Sequence, residues 1–313
     1  LGSFAGSGFL ATAQAAMPTF TNPNNVSIVT GAPPAVHGIS GNYCLDRASG
    51  REIMMTDPDL MRSETILALL AAEGVKVAAV TAKDKLRRLL GRGLDGIAFS
   101  SEQADAGVEK MVGRPRPDMY SADLSLYVLD AGLRLLERGA VVGLVADHGM
   151  NDKPRVVFVE DELARRFGAG AARVICPITD PFVRHHGALG SFVRIYVRKV
   201  ADLAPMMAAC AALPGVARVL DREEAAQVFE MPADREADFV ALGDAATALG
   251  AARAGHDLSA LEGHPLRSHG GEGERTVPFI LSHPLTAQYR ERAATRPLHN
   301  YDIFDFALNG LAG

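Results

Sequence analysis

Apolar and polar positions alternate between two periods along the first half of the chain, and this predicts strands and helices in turn. In "SETILALLAAEG" the apolar residues recur at helical spacing and Gly74 ends the run, while "VKVAAVTA" reads as a buried strand. "KDKLRRLLGRG" is a basic helix, "GIAFSS" a strand, "ADLSLYVLDAGLRLLERG" a long amphipathic helix closed at Gly139, and "AVVGLVA" a strand without polar alternation. Wholly apolar strands separated by helices predict an α/β fold, a mostly parallel sheet covered by helices on both faces. The pattern changes after Asp152. "RVVFVED", "ARVICPIT" and "FVRIYVR" are shorter strands, followed by the helices "VADLAPMMAACAAL" and "REEAAQVFE". "VPFILSHPL" restores a core strand and "YDIFDFALNGL" a closing helix. The expected organisation is a core over 1–153 and 263–313 with a smaller α+β cap inserted at 154–262. The start, "LGSFAGSGFLATAQAA", has no basic segment of a signal peptide and reads as the middle of a helix rather than an opening strand, so a true N-terminus is expected to lie before it.

"PTFTNPNNVSIVTG" poses the first chemical question. It reads as a short helix stopped by Gly31, with Thr21 or Asn22 near the N-cap. A capped helix explains it; so does a threonine presented at a positive helix end, where a phosphoryl group binds. In "VVGLVADHGMND" an apolar strand delivers Asp147 and His148 at its carboxyl end, where open α/β sheets bind ligands. A carboxylate beside an imidazole suits Zn²⁺ or a similar cation. "RSHGGEGE" offers His269 in a loop that its glycines let fold tightly. Lys83 and Lys85 stand near a helix start, where cations oppose the helix dipole; this suggests an anionic ligand or a solvated basic face. "GRGLDG" fits G-x-G-x-x-G but follows a helix instead of a strand, so it is set aside. "HGISGN" lacks the final glycine of a serine elbow, "CPITD" lacks the arginine of a sulfatase nucleophile, and the His185–His186 pair has no partner spacing that fixes a geometry.

Composition narrows the classes. With 313 residues, 48% hydrophobic and 22% charged, the chain can bury a large core, and a net charge of −5 argues against a general nucleic-acid binder. Three cysteines form neither a metal knuckle nor a disulfide framework, which fits reduced thiols of a cytoplasmic protein. No apolar run is long enough to span a bilayer.

Thr21 in "FTNPNN", Asn42 in "HGISGN", "ADHGMND" and the late "SHGG" occur in the order seen in the alkaline phosphatase superfamily, in its nucleotide pyrophosphatase/phosphodiesterase branch. "MPTFTNPNNVSIVTG", "CPITDPFVRHHGALGSF" and "RSHGGEGERTVPF" resemble the phosphonoacetate hydrolase family more closely, over nearly the whole chain. That resemblance implies a hydrolase acting on the carbon–phosphorus bond with two divalent ions, zinc the expected metal. Thr21 would be nucleophile and metal ligand, with Asp147 and His148 on the same ion and His269 on the second. Asn42 would hold phosphoryl oxygens, and Lys83 and Lys85 the substrate carboxylate. A small phosphonate is the expected partner, with no nucleic acid or membrane, in a homodimer. The family pattern also has an aspartate ahead of the threonine and an Asp-x-x-x-His pair before DHG. Neither has a counterpart here: Asp123 is followed four positions later by Tyr127. Two other readings stay open: a type I phosphodiesterase or nucleotide pyrophosphatase, which the 6% aromatic content and absent Trp weigh against, and a metal-dead homologue that only binds.

Overall fold

A computed structural model describes residues 6–94, 97–118, 121, 123–135, 141–180, 187–261 and 263–312. Its first strand, β1 (Phe9–Gln14), lies where the sequence reading had no opening strand. Next come α1 (Thr21–Thr30), α2 (Pro34–His37) and the hairpin β2 (Tyr43–Asp46) with β3 (Arg51–Met54). The alternating segment holds α3 (Ile66–Ala72), β4 (Ala78–Thr81), α4 (Asp84–Leu90) and β5 (Ile97–Ser100), then α5 (Ala106–Val112), α6 (Asp123–Leu135) and β6 (Gly143–Val145). Beyond it lie β7 (Asn151–Asp152), β8 (Arg155–Phe158), α7 (Val159–Phe167), β9 (Ala172–Ile175) and β10 (Phe192–Val197). They are followed by α8 (Leu203–Ala211), β11 (Val216–Asp221), α9 (Arg222–Phe229), β12 (Phe239–Gly243) and β13 (Thr247–Gly250). The chain closes with β14 (Arg267–Ser268), β15 (Thr276–Leu281), α10 (Ala287–Thr295) and α11 (Ile303–Asn309). His185, His186 and the last residues of "GRGLDG" lie outside the described residues.

The α/β class holds, but the described ladders do not form the mostly parallel sheet expected. β15 runs antiparallel between β1 and β6, and four strands in the order β11-β12-β10-β9 pair antiparallel throughout. Only β4–β5 and β13–β8 are parallel among the described ladders. An apolar strand reports that both its faces are covered, not which way its neighbour runs. β1 and β6 do point the same way, and a strand from the far end of the chain enters between them reversed.

Two apolar clusters frame the centre. One joins Phe279 and Leu281 of β15 to Ala13, Ile303 and Phe306; the other joins Phe192, Ile195, Phe239 and Val240 of the four-stranded sheet to Met206 and Cys210 of α8. The second cluster also takes in Met17 and Phe20, so the residue just before Thr21 is anchored beneath that sheet. Phe20 meets Phe192 edge to face at 6.4 Å. α1 ends as expected at Gly31, whose φ of 63° is left-handed.

Buried His37 ties the turn after α1 to the helix itself. Its Nδ1 accepts from the Ile39 N–H at 3.2 Å, so Nε2 carries the proton and donates to Ser27 Oγ at 2.8 Å. Burial, and next the nearby Arg235 cation, lower its pKa to about 3 from 6.5. The neutral form therefore belongs to the fold. Its contribution is complete above about pH 6.5 and is lost as pH falls toward about 3, because the unfolded chain binds the proton first. Urea unfolding should show stability dropping by a few kcal/mol across that window. In His37→Gln the drop should be visibly shallower; an equal slope would assign the pH dependence to other groups.

Candidate active site

Four polar residues at the start of α1 are held in place one by one. Asn24 is fully buried: its Oδ1 accepts from the Ala16 N–H at 2.7 Å and from Asn300 Nδ2 at 2.8 Å. Its Nδ2 donates to the carbonyls of Ala16, Pro18 and Phe20 at 3.1, 3.3 and 3.1 Å. Asn22 donates from Nδ2 to Met55 O at 2.9 Å, and its backbone N–H donates to Asn42 Oδ1 at 3.0 Å. Asn25 Nδ2 donates to Thr21 O at 2.9 Å and to Asp147 Oδ2 at 3.2 Å. The N-cap position belongs to Phe20, which makes no side-chain cap bond, rather than to Thr21 or Asn22. Asn42, from a different segment, does the capping instead. Thr21 is thereby left with its hydroxyl directed at the DHG loop.

There Thr21 Oγ1 lies 3.3 Å from His148 Nε2. His148 Nδ1 donates to Gly149 O at 2.8 Å, and His269 Nδ1 donates to Thr19 O at 2.7 Å. Each carbonyl fixes the Nδ1–H tautomer and leaves the lone pair on Nε2. The two imidazoles stack with centroids 3.8 Å apart. Asp147 is oriented by its own loop, with the His148 N–H donating to Oδ1 at 3.0 Å and Asn300 Nδ2 donating to the Asp147 carbonyl at 3.1 Å. Gly270 must be glycine here. Its φ is +119°, and a Cβ would sit 2.4 Å from the Phe20 ring, which itself packs edge-on to His269.

The donor set suits a cation. His148 Nε2 and Asp147 Oδ2 converge to 3.4 Å, and the Thr21 hydroxyl stands beside them. Metal-ligating imidazoles are usually anchored in this way, by the other ring N–H on a backbone carbonyl. Among the described residues no group of three or more His, Cys, Asp or Glu forms a cage. The residues that fit a metal are therefore Asp147, His148 and Thr21, with His269 stacked on the same side. Exposed Asp123 and buried Tyr127 of α6 add nothing to them.

The lysines lie in a cavity of about 290 Å³ lined by Met54, Thr56, Lys83, Lys85, Arg88 and Asp180 among others. Met54 and Thr56 flank Met55, whose carbonyl holds Asn22, so the cavity adjoins the head of α1. Lys83 occupies the N-cap of α4 without a side-chain cap bond. Lys85 Nζ pairs with Asp180, whose side chain is almost wholly buried. Asn42 stands between the two groups, its Nδ2 facing Ile178 O at 3.5 Å. Sequence reading missed Asn25, Asn300 and Asp180; all three are short polar residues without a spacing that assigns them a partner.

Residues 1–85 match the family model described as type I phosphodiesterase / nucleotide pyrophosphatase. A crystal structure of phosphonoacetate hydrolase from Sinorhizobium meliloti 1021, in complex with phosphonoacetate, is 39% identical and superposes with a TM-score of 0.90, covering 99% of this chain and 89% of the other. The chain belongs to the phosphonoacetate hydrolase family. The same enzyme in complex with phosphonoformate superposes equally well, with a TM-score of 0.90. A phosphonoacetate hydrolase from Penicillium oxalicum is 63% identical over 27 residues, a stretch spanning 9% of this chain and 38% of that protein. Human ectonucleotide pyrophosphatase / phosphodiesterase 5, at 14% identity and a TM-score of 0.63 over 97% of this chain and 86% of its own, shares the fold.

Two measurements test this site. Asn24→Ala leaves the buried Ala16 N–H and carbonyl unpaired and should lower unfolding free energy by about 2–4 kcal/mol; a loss under about 0.5 kcal/mol would mean water takes over these bonds. Adding Zn²⁺ or Mn²⁺ should raise the melting temperature progressively by mass action. Asp147→Asn and His148→Gln should each reduce that rise, and a melting temperature indifferent to both metals would rule out a cation site here.

Proposed function

We propose that this protein hydrolyses the carbon–phosphorus bond of phosphonoacetate to acetate and phosphate, through a phosphothreonine at Thr21. The observation that carries the proposal is the Thr21 hydroxyl at the head of α1, 3.3 Å from His148 Nε2, beside a cavity lined by lysines. The positive end of a ten-residue helix favours a phosphonate dianion at that hydroxyl. Divalent ions, when bound by Asp147, His148, His269 and Thr21, would neutralise phosphonate charge and lower the pKa of the threonine hydroxyl; zinc and a count of two remain part of the proposal.

Thr21 gives up its hydroxyl proton to solvent and Oγ1 attacks phosphorus; the P–Oγ1 bond forms, and the P–C bond breaks with its electron pair on the methylene carbon, which later takes a proton from solvent. That carbon is a poor leaving group unless the charge spreads into the neighbouring carboxylate, as an enediolate. Lys83 and Lys85 supply the cations that stabilise it, and protonation at carbon gives acetate. Asn42 is assigned to phosphoryl oxygens through Nδ2, since its Oδ1 is committed to the Asn22 N–H. Water then cleaves the phosphothreonine and releases phosphate. Asp180 pairs with Lys85 and fixes where its ammonium group sits in the cavity.

We read residues 154–262 as a cap over this site. Asp180, within that insertion, lines the cavity opposite core residues Met54 and Lys83. A reducing, cytoplasmic setting is supported by three buried, unpaired cysteines, with burial pushing the thiols of Cys176 and Cys210 up to about 12. Among the described residues no helix is long and apolar enough to cross a membrane.

The test is phosphate release from phosphonoacetate with and without added Zn²⁺. Thr21→Ala should abolish metal-dependent release, by at least about a thousandfold. Lys85→Ala should lower kcat at least as much as it raises KM, because its cation is needed where charge develops as the P–C bond breaks. Release that survives Thr21→Ala would overturn the nucleophile. Turnover of a nitrophenyl phosphodiester in place of phosphonoacetate would move the chain to the phosphodiesterase branch, and silence on both would make it a binding protein.

A further inference from the structure

We propose that Glu274 and Lys153 are positioning residues that set how His148 and His269 face each other; the inference rests on the reading of that site given above. Both side chains are fully buried, and Lys153 Nζ meets Glu274 Oε1 at 2.7 Å. A buried ion pair is costly to desolvate and is kept only where its remaining hydrogen bonds are made. Here they are made to the two histidine loops. Glu274 Oε2 accepts from the Gly271 N–H at 2.9 Å, two residues after His269. Glu274 Oε1 also accepts from Asn151 Nδ2 at 2.7 Å, three residues after His148. The main-chain carbonyl of Glu274 accepts from the Gly149 N–H at 2.8 Å, next to His148 itself. Lys153 Nζ donates in addition to Ala245 O at 2.9 Å, which fastens the pair to the turn before β13. The short β7–β14 ladder pairs Asn151 with Ser268 and Asp152 with Arg267, so the loops are zipped at one end and clamped by the ion pair at the other.

Glu274 thus holds both histidine loops by its side chain, and the His148 loop by its backbone as well. Neither Glu274 nor Lys153 reaches Thr21 or the lysine cavity. Their loss should therefore disturb the stacking of the histidines and the chemistry at Thr21 while sparing carboxylate recognition.

The experiment compares the parent with the double variant Lys153→Met/Glu274→Gln, which removes both charges together and leaves none buried alone. Ring-proton NMR of the metal-free full chain, assigned with His148→Gln and His269→Gln, reads the stack through mutual ring-current shifts. These should be upfield in the parent and move toward ordinary imidazole values in the double variant. For phosphonoacetate, kcat should fall roughly 10–100-fold with KM within about twofold, the size usual for outer supports of ligand residues. Asn151→Ala, which keeps the ion pair and removes one donor to Glu274, should shift the same resonances less; it decides the matter if the double variant does not fold. Unmoved ring protons and unchanged kcat would overturn the proposal. If the parent itself does not turn over phosphonoacetate, the functional reading fails, and the ring-proton comparison still decides the positioning.

Discussion

The site depends on one buried amide. Asn24 pairs the Ala16 N–H and carbonyl, which would otherwise be stranded where β1 stops and α1 has not begun, and adds a second donor to the Pro18 and Phe20 carbonyls. A buried unpaired backbone group costs about 1–3 kcal/mol, so a turn with both of these exists only if something of the right shape fills it. A carboxamide does so with one oxygen and one NH₂. Asn300 completes the arrangement by donating to Asn24 and to the Asp147 carbonyl, so the turn that carries Thr21 and the loop that carries His148 share one hydrogen-bond network.

This is why "TNPNN" is written as it is. Asn22, Asn24 and Asn25 look interchangeable in composition, yet they serve the Met55 carbonyl, the strand-to-helix turn and the Asp147 carboxylate respectively. A helix could have been started with a serine cap. Capping by Asn42 from another segment instead leaves the first helical side chain available for chemistry and couples α1 to the turn after His37. Phe20 adds the steric half, since its ring packs against Phe192, His269 and the bare α-carbon of Gly270.

Period and punctuation made most of the fold legible: α3, β4, α4, β5 and β15 stand where apolar spacing and glycines put them, and α6 follows its apolar spacing, its expected stop at Gly139 lying outside the described residues. β1 was missed because "GFLATAQ" mixes small and polar residues and is recognisable as a strand only beside β15. Strand direction was not readable, because the partner of β1 and β6 comes from the other end of the chain. At the site, Thr21, Asp147, His148 and His269 could be named from motif context, and the structure brings them together. Asp180 could not, since nothing in "CPITD" announces Lys85, ninety-five positions away.

The two halves of the site are built from different materials. Around Thr21 the polar contacts are amide to backbone and mostly buried, and such bonds hold one geometry because every alternative strands a donor or an acceptor. Around the cavity they are charged instead, with Lys85 paired to the Asp180 carboxylate and Lys83 lining the same space. An in-line attack needs the nucleophile fixed to fractions of an ångström. A carboxylate that must accept charge as the P–C bond breaks needs cations beside it. The distribution of buried amides around Thr21 and lysines around the cavity is what that reaction asks of the two ends of its substrate.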